Sequence, residues 1–259
     1  MSETETPKDF TQRFTGRVEA YKRFRPRYPA AILEILQMKC GLTPETMVAD
    51  VGAGTGMLAE VFLANGNRVF AIEPNAEMRA ACRELEESYP KLTCIDGTAE
   101  ATGLPASSID LVAAGRAFHW FDPAKSKTEF RRVLRGESWV ALLGLGRPGA
   151  GQRPMALEME RIMREYGTDY AALEDRYKLG DRAREFFGGT VGSAEIQTLT
   201  TFTWDEFLGN AISLSVMPMP GDPRFEAFEQ ALRGIFEKYQ SNGKVEMPIE
   251  CKMYLGRLG

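Results

Sequence analysis

Three alternating glycines constrain this chain more than any other feature. In VADVGAGTGMLAEVF, residues 48–62, Gly52, Gly54 and Gly56 follow an apolar run and precede a helical pattern. Glycine tolerates positive φ and carries no Cβ, so a ligand can approach the backbone there. The helix N-terminus that follows offers N–H groups and a partial positive charge, which favour an anionic or carboxylate group. Glu73 ends the next apolar run, where an acid can accept hydrogen bonds from both hydroxyls of a ribose. A tight turn beside a surface carboxylate would account for a lone GxG. Strand, triple glycine, helix, strand and terminal acid in succession point instead to a nucleoside ligand.

The same rhythm runs on along the chain. Apolar runs at 47–51, 68–72, 92–95, 109–114 and 139–145 alternate with helical patterns at 57–65, 75–88 and 123–134, as in an α/β sheet. Helices follow at 155–166 and 173–187, a strand at 194–204, helices at 205–215 and 225–240, and a strand at 244–255.

Composition narrows the chemistry. His119 is the one histidine among 259 residues, so a Ser-His-Asp hydrolase or a histidine-rich metal centre would have to share it, and no metal is expected. Cys40, Cys82, Cys94 and Cys251 form no CxxC pair, which reads as free thiols in a reducing compartment. The N-terminal MSETETPKDF has no apolar secretion segment, and no run approaches the roughly 18 apolar residues of a membrane span. A cytoplasmic protein with no membrane partner is expected. The net charge of −4 argues against a nucleic-acid partner.

A dinucleotide fingerprint, GxGxxG, would need its third glycine at Met57. The loop is GxGxG instead, preceded by Asp50, and it resembles motif I of the class I S-adenosylmethionine-dependent methyltransferases. CIDGTAEATGLP (94–105) followed by SIDLV (108–112) resembles the family's adenine-binding segment and fourth strand, with Thr98 where an Asp is usual. AFHWFD (117–122) and YKRFRPRYP (21–29) are similar to the small-molecule branch that includes trans-aconitate-type methyltransferases.

The resemblance implies a Rossmann-like, seven-stranded, mostly parallel sheet with flanking helices. Residues 1–40 would form an N-terminal lid, 41–146 the cofactor-binding core, 147–190 a helical cap inserted after strand five, and 191–259 the completion of the sheet. The cofactor would be S-adenosylmethionine, held by Asp50, Gly52, Ala53, Gly54, Thr55, Gly56, Glu73, Pro74, Met78, Gly97, Thr98, Ala99, Glu100, Arg116 and Ala117. With Thr98 in place of Asp, the adenine contact would fall to backbone N–H groups around Ala99 and Glu100. The acceptor would be a small molecule.

Methyl transfer from a sulfonium needs alignment, exclusion of water and sometimes removal of a proton. Ligands of open α/β sheets sit at the carboxyl ends of the strands, which places Arg116, Phe118, His119 and Trp120 near an acceptor. An unperturbed imidazole suits a general base, which makes His119 a candidate for one; equally, it and Trp120 pack the loop. In the resembling family the basic arm folds over the cofactor, which places Tyr21 near the methionine carboxylate or the methyl, and Arg25 on a carboxylate or in a structural role. Arg25 or Arg116 could also hold an acidic acceptor through paired hydrogen bonds.

The stripe Met155, Met159, Ile162, Met163 and Tyr166 either packs the cap or lines an acceptor pocket, with Trp120, Tyr166 and Tyr170 as acceptor contacts. Three other readings stand beside this one. The Arg- and Lys-rich arm with Phe14, Tyr21, Phe24 and Tyr28 could serve an RNA methyltransferase. The site could belong to a non-catalytic nucleoside-binding module. An NAD-dependent oxidoreductase is disfavoured by the glycine spacing.

Overall fold

The computed structural model describes residues 14–146, 154–170, 178–189 and 191–258. Seven strands form one sheet in the order β3-β2-β1-β4-β5-β7-β6: β1 Met47–Val51, β2 Arg68–Ile72, β3 Leu92–Ile95, β4 Ile109–Gly115, β5 Leu134–Gly146, β6 Gly192–Phe202 and β7 Val245–Arg257. The first five are parallel, while β7 runs antiparallel between β5 and β6. The seven-stranded, mostly parallel architecture expected from the sequence is therefore present.

The helices are α1 Val18–Phe24, α2 Ala31–Cys40, α3 Met57–Ala64, α4 Ala76–Arg83, α5 Pro123–Val133, α6 Pro154–Tyr166, α7 Leu179–Phe187, α8 Trp204–Ile212 and α9 Phe225–Tyr239. Alternate residues of the central strands are buried on opposite faces. Val48, Leu111, Ala113 and Ala141 pack with Ile32, Leu36, Leu58 and Phe62 of α2 and α3. Ala49, Val51, Val112 and Leu142 pack with Phe130 of α5 and Ala183 and Phe186 of α7.

Several boundaries differ from expectation: the fifth strand begins at Leu134 rather than 139, the helix expected over 205–215 ends at Ile212, and two further helices change. The helix expected over 75–88 stops at Arg83 and tightens into a 3-10 turn, Glu84–Glu87, where Glu84, Glu86 and Glu87 crowd like charges into one turn. The helix expected over 173–187 is seen from Leu179; residues 173–177 lie outside the described set, as do 147–153 and 190. The two helices of the 147–190 segment have separate neighbours. Met159 and Ile162 of α6 join Phe228 and Leu232 of α9 and Phe207 of α8, while α7 packs beside α5.

The β6–β7 pairing outruns the rest of the sheet. β5 pairs with β7 as far as Gly146↔Glu250, yet β6 and β7 continue to Phe202↔Val245. This two-stranded extension rises past the carboxyl end of the parallel strands and carries part of the third apolar cluster, which includes Met247, Ile249, Phe207 and Phe236. A wall is thereby built beside the strand ends.

Candidate active site

The glycine loop leaves β1 at Val51, and each glycine has its own reason. All three adopt positive φ, +70° at Gly52, +58° at Gly54 and +84° at Gly56, a region that costs other L-residues about 1–2 kcal/mol. A Cβ at Gly52 would stand 2.4 Å from that of Ala117, and one at Gly56 would meet Leu85 and Cys82. A Cβ at Gly54 would meet nothing within 4 Å. Gly54 alone of the three thus faces open space.

The loop amides are largely spent on the loop itself. Gly52 and Ala53 both donate to the Ile72 carbonyl and Gly56 donates to Ala53. Gly54 donates to Glu73 Oε2 at 2.9 Å, and Asn75 donates to Glu73 Oε1 at 2.8 Å. The free N–H cradle for an anion expected from the sequence is not what these four amides provide. Glu73 is instead held by one donor on each oxygen, and its pKa is raised because burial outweighs these two bonds. Arg79 braces the same turn by donating to the Glu73 and Pro74 carbonyls, and the Asn75 side chain caps α4 at Met78 N.

Asp50 is fully buried one residue before the strand ends, and neither carboxylate oxygen has a hydrogen-bond partner. Burial pushes its pKa up to about 7; the Ala59 N–H in the first turn of α3 offsets this in part, and the Glu73 charge adds to it. The Thr55 hydroxyl is also enclosed without a partner.

On the β3 side, Gly97 is held by the carbonyls of Ala101 and Thr102, 3.0 and 2.9 Å from where its Cβ would lie. Thr98 and Ala101 bridge through their backbones. The Glu100 amide, expected to be free for a ligand, points to Thr98 Oγ1 at 3.3 Å, and the Glu100 carboxylate accepts the Asp122 N–H. Thr98 thus shapes its own turn through its backbone and its hydroxyl.

At the end of β4, Arg116 adopts φ +56°, a conformation rare for a non-glycine residue and common at functional turns. Its N–H donates to Leu143. Its side chain approaches Met57 Sδ at 3.2 Å and lies over the rings of Tyr21 and Tyr28, 5.3 and 5.2 Å from their centroids. Arg25 also lies over the Tyr21 ring, at 5.0 Å. Burial pulls the Arg25 pKa down, and neighbouring Arg116 adds to this. The Nε atoms of both arginines are enclosed without acceptors.

Tyr28 was visible in the sequence only as one aromatic of the arm. In the fold its buried hydroxyl, without a partner, lies 2.4 Å from where a Cβ on Gly115 would be. A glycine ending a buried strand is the one local hint of that close approach.

The arm is fastened by long-range contacts. Arg17 donates to the carbonyls of Ile212, Leu214 and Met217 at 2.6, 2.9 and 2.7 Å. Phe24 fills the space where Gly209 has no side chain, and Asn210 donates to the Phe24 carbonyl. Lys22 pairs with Glu84 and Arg27 with Glu60, while Arg23 is exposed and lies over the Phe24 ring. Arg13 lies outside the described residues.

His119 and Trp120 sit in the 3-10 turn Phe118–Trp120 with ring centroids 4.5 Å apart. Trp120 packs against the third apolar cluster, together with Tyr166 and Tyr170. Tyr166 lies against Phe228, and Arg164 lies over Tyr170. The structure thus brings Asp50, Glu73, the glycine loop, Arg116, Tyr21 and Arg25 to the carboxyl ends of β1, β2 and β4. It assigns Tyr166 and Tyr170 packing contacts within the C-terminal cluster. Among the described residues no helix is long and apolar enough to cross a membrane.

Part of the chain is similar to known proteins. A family profile for the methyltransferase domain matches residues 49–142. An uncharacterised methyltransferase of Mycobacterium tuberculosis is 36% identical over 128 residues, 49% of this chain and 50% of that protein. One of Schizosaccharomyces pombe is 31% identical over 131 residues, 50% and 51% of the two chains. The chain thus spans about half the length of the curated relatives it matches. A solved structure from Anaeromyxobacter dehalogenans, described as a type II methyltransferase, superposes with a TM-score of 0.65 at 22% identity, covering 91% of this chain and 98% of that one. Residues 49–142 thus match a methyltransferase domain, and the seven-stranded sheet built around them has the fold of solved methyltransferases.

Proposed function

We propose that the protein transfers a methyl group from S-adenosylmethionine to a small-molecule acceptor. One observation carries the reading: two buried carboxylates, Asp50 and Glu73, end adjacent strands beside a loop whose Gly54 has an open face. The residues fit this donor. Asp50, with both oxygens unpartnered, suits an ammonium group; Glu73 retains lone pairs for a ribose diol; Gly54 leaves room for the ligand against the backbone.

When bound, the cofactor supplies an electrophilic methyl whose bond to sulfur breaks as the acceptor bond forms, leaving a neutral thioether. The chain's own work is to bind, orient and exclude water. Tyr21, Arg25 and Tyr28 would cover the strand ends from the arm. Ala117 would hold the β4 end against Gly52. His119 would take the acceptor's proton where there is one to lose.

The fate of the arm's charges supports a small acceptor over RNA. Among the described arm residues, Arg17, Lys22, Arg25 and Arg27 are engaged with carbonyls, carboxylates or a ring of this chain, which leaves the exposed Arg23 to meet phosphates. Calorimetric titration with S-adenosylmethionine, S-adenosylhomocysteine and NAD tests the cofactor. Transfer of labelled methyl to a small-metabolite pool, against none to RNA, tests the acceptor. Binding of NAD alone overturns the reading.

A further inference from the structure

The two edges of the sheet are finished differently. Among the described residues β3 pairs only with β2, and β6 only with β7, so each presents an outer row of backbone N–H and C=O groups. β3 is four residues long, and its Cys94 N–H is taken by Glu86 Oε1 at 3.0 Å. β6 has eleven residues. It pairs with β7 in unbroken register from Gly192↔Leu255 to Phe202↔Val245. Lysine, proline and bulges, which commonly protect an edge, are all missing from residues 192–202.

The middle of β6 is bare on every side. Gln197, Thr198 and Leu199 are exposed in succession, so both faces of the strand and its outer edge meet water there. Leu199 is 63% exposed, one of three large apolar side chains on the surface among the described residues. An uncovered edge of this length is a template for another strand.

The residues of β6 decide which strand fits. A second copy related by a two-fold axis must accept the same surface that it offers. Antiparallel pairing centred on Thr198 sets Gln197 against Leu199, Ile196 against Thr200, Glu195 against Thr201 and Ala194 against Phe202. Glu195 is the one ionisable residue of β6, and in this register it meets a hydroxyl rather than its own copy. β-branched residues face each other near the centre, as sheets favour. One step either way is worse. Centring on Gln197 sets Glu195 against Leu199, and centring on Leu199 spends Thr203, which already caps α8. With residues 194–202 paired, the contact forms about nine hydrogen bonds, close to the ten or so of a typical interface.

We propose that β6 is the contact surface for a second copy of this chain, joining the two sheets edge to edge through antiparallel β6 strands centred on Thr198. The pairing needs no ligand and stands apart from the methyl-transfer reading. It also braces the β6–β7 extension, whose Phe202, Val245 and Met247 belong to the third apolar cluster.

Sedimentation velocity on the full chain tests the contact. At about 50 μM the wild type is expected to run as a dimer. Gln197→Lys combined with Leu199→Lys sets ammonium groups opposite each other on both sides of the two-fold, and is expected to weaken association at least about tenfold. Gln197→Glu combined with Leu199→Lys makes the same pairs complementary, and is expected to associate at least about tenfold more tightly than the double-lysine variant. Both side chains are exposed, so the melting curve should hold in either variant. A monomeric wild type at about 50 μM overturns the proposal, whatever else lies along the edge. A dimer untouched by the double lysine overturns it too, because the interface then lies elsewhere. Equal association of the lysine–lysine and glutamate–lysine variants overturns the register centred on Thr198.

Discussion

Gly54 donates its N–H to Glu73 Oε2 at 2.9 Å, which makes the glycine loop after β1 and the acid after β2 a single mechanical unit. The same carboxylate holds the start of the next turn through Asn75 N–H. The shape of both turns therefore depends on one side chain.

Glu73→Ala is expected to raise the dissociation constant of S-adenosylhomocysteine by tenfold or more, since hydrogen bonds to a charged group contribute about 1.5–3 kcal/mol each. Titration calorimetry reads the loss, and a thermal melt checks that the sheet survives. Unchanged affinity would displace the site from this end of the sheet.

Asp50 makes the ligand-free protein sensitive to pH in a defined direction. Its folded pKa, about 7, lies above the unfolded value near 3.9. Below about pH 4 the group is protonated in both states and has no effect. Between about 4 and 7 the unfolded chain ionises more readily, so the Asp50 contribution lowers stability as pH rises, then levels off. Denaturant melts should show this component in the wild type and lose it in Asp50→Asn. A ligand ammonium reverses the preference, so S-adenosylhomocysteine affinity should rise across the same window. Proton release should accompany binding, read as buffer-dependent heat.

The glycines should separate into two classes. Gly54→Ala meets no clash and should lower stability only by the backbone cost of about 1–2 kcal/mol, while blocking the face left for ligand. Gly52→Ala meets Ala117 at 2.4 Å and adds about 1–3 kcal/mol of overpacking to that cost. Melting curves and cofactor titration together distinguish the two.

Arg17→Ala removes three bonds that tie the arm to the turn after α8. Hydrogen exchange should quicken across residues 14–28 and stay slow in β1, β4 and β5. Uniform quickening would mean that the arm is no separate unit.

His119→Ala discriminates base from packing. If His119 removes a proton, kcat falls, the pH–rate profile loses its acid limb, and cofactor affinity holds. An unchanged profile and rate leave His119 as the partner of the Trp120 ring.

The sequence carried the first five strands and the glycine loop because each is a local pattern. An apolar run of a few residues, a glycine triplet and a terminal acid occupy adjacent positions, and β1, β2 and β3 match the runs at 47–51, 68–72 and 92–95. Tyr28, Arg17 and the β6–β7 extension left no such trace. Tyr28 meets Gly115 and Arg17 meets Ile212 through folding alone, so no periodicity within a short window encodes either contact. The glycine loop shows the opposite error: local chemistry promised free amides, and the fold used most of them internally.

The seat of Arg17 lies 195 to 200 positions later in the chain, and Phe24 rests on Gly209. A chain emerging from the ribosome N-terminus first must therefore expose α1 while β1 to β5 are already able to pair. Only when the turn after α8 appears can the arm settle over Asp50 and Arg116. Seating of the arm therefore waits on residue 217, before β7 can insert between β5 and β6, and a nascent chain stalled short of it would lack a carbonyl that seats Arg17.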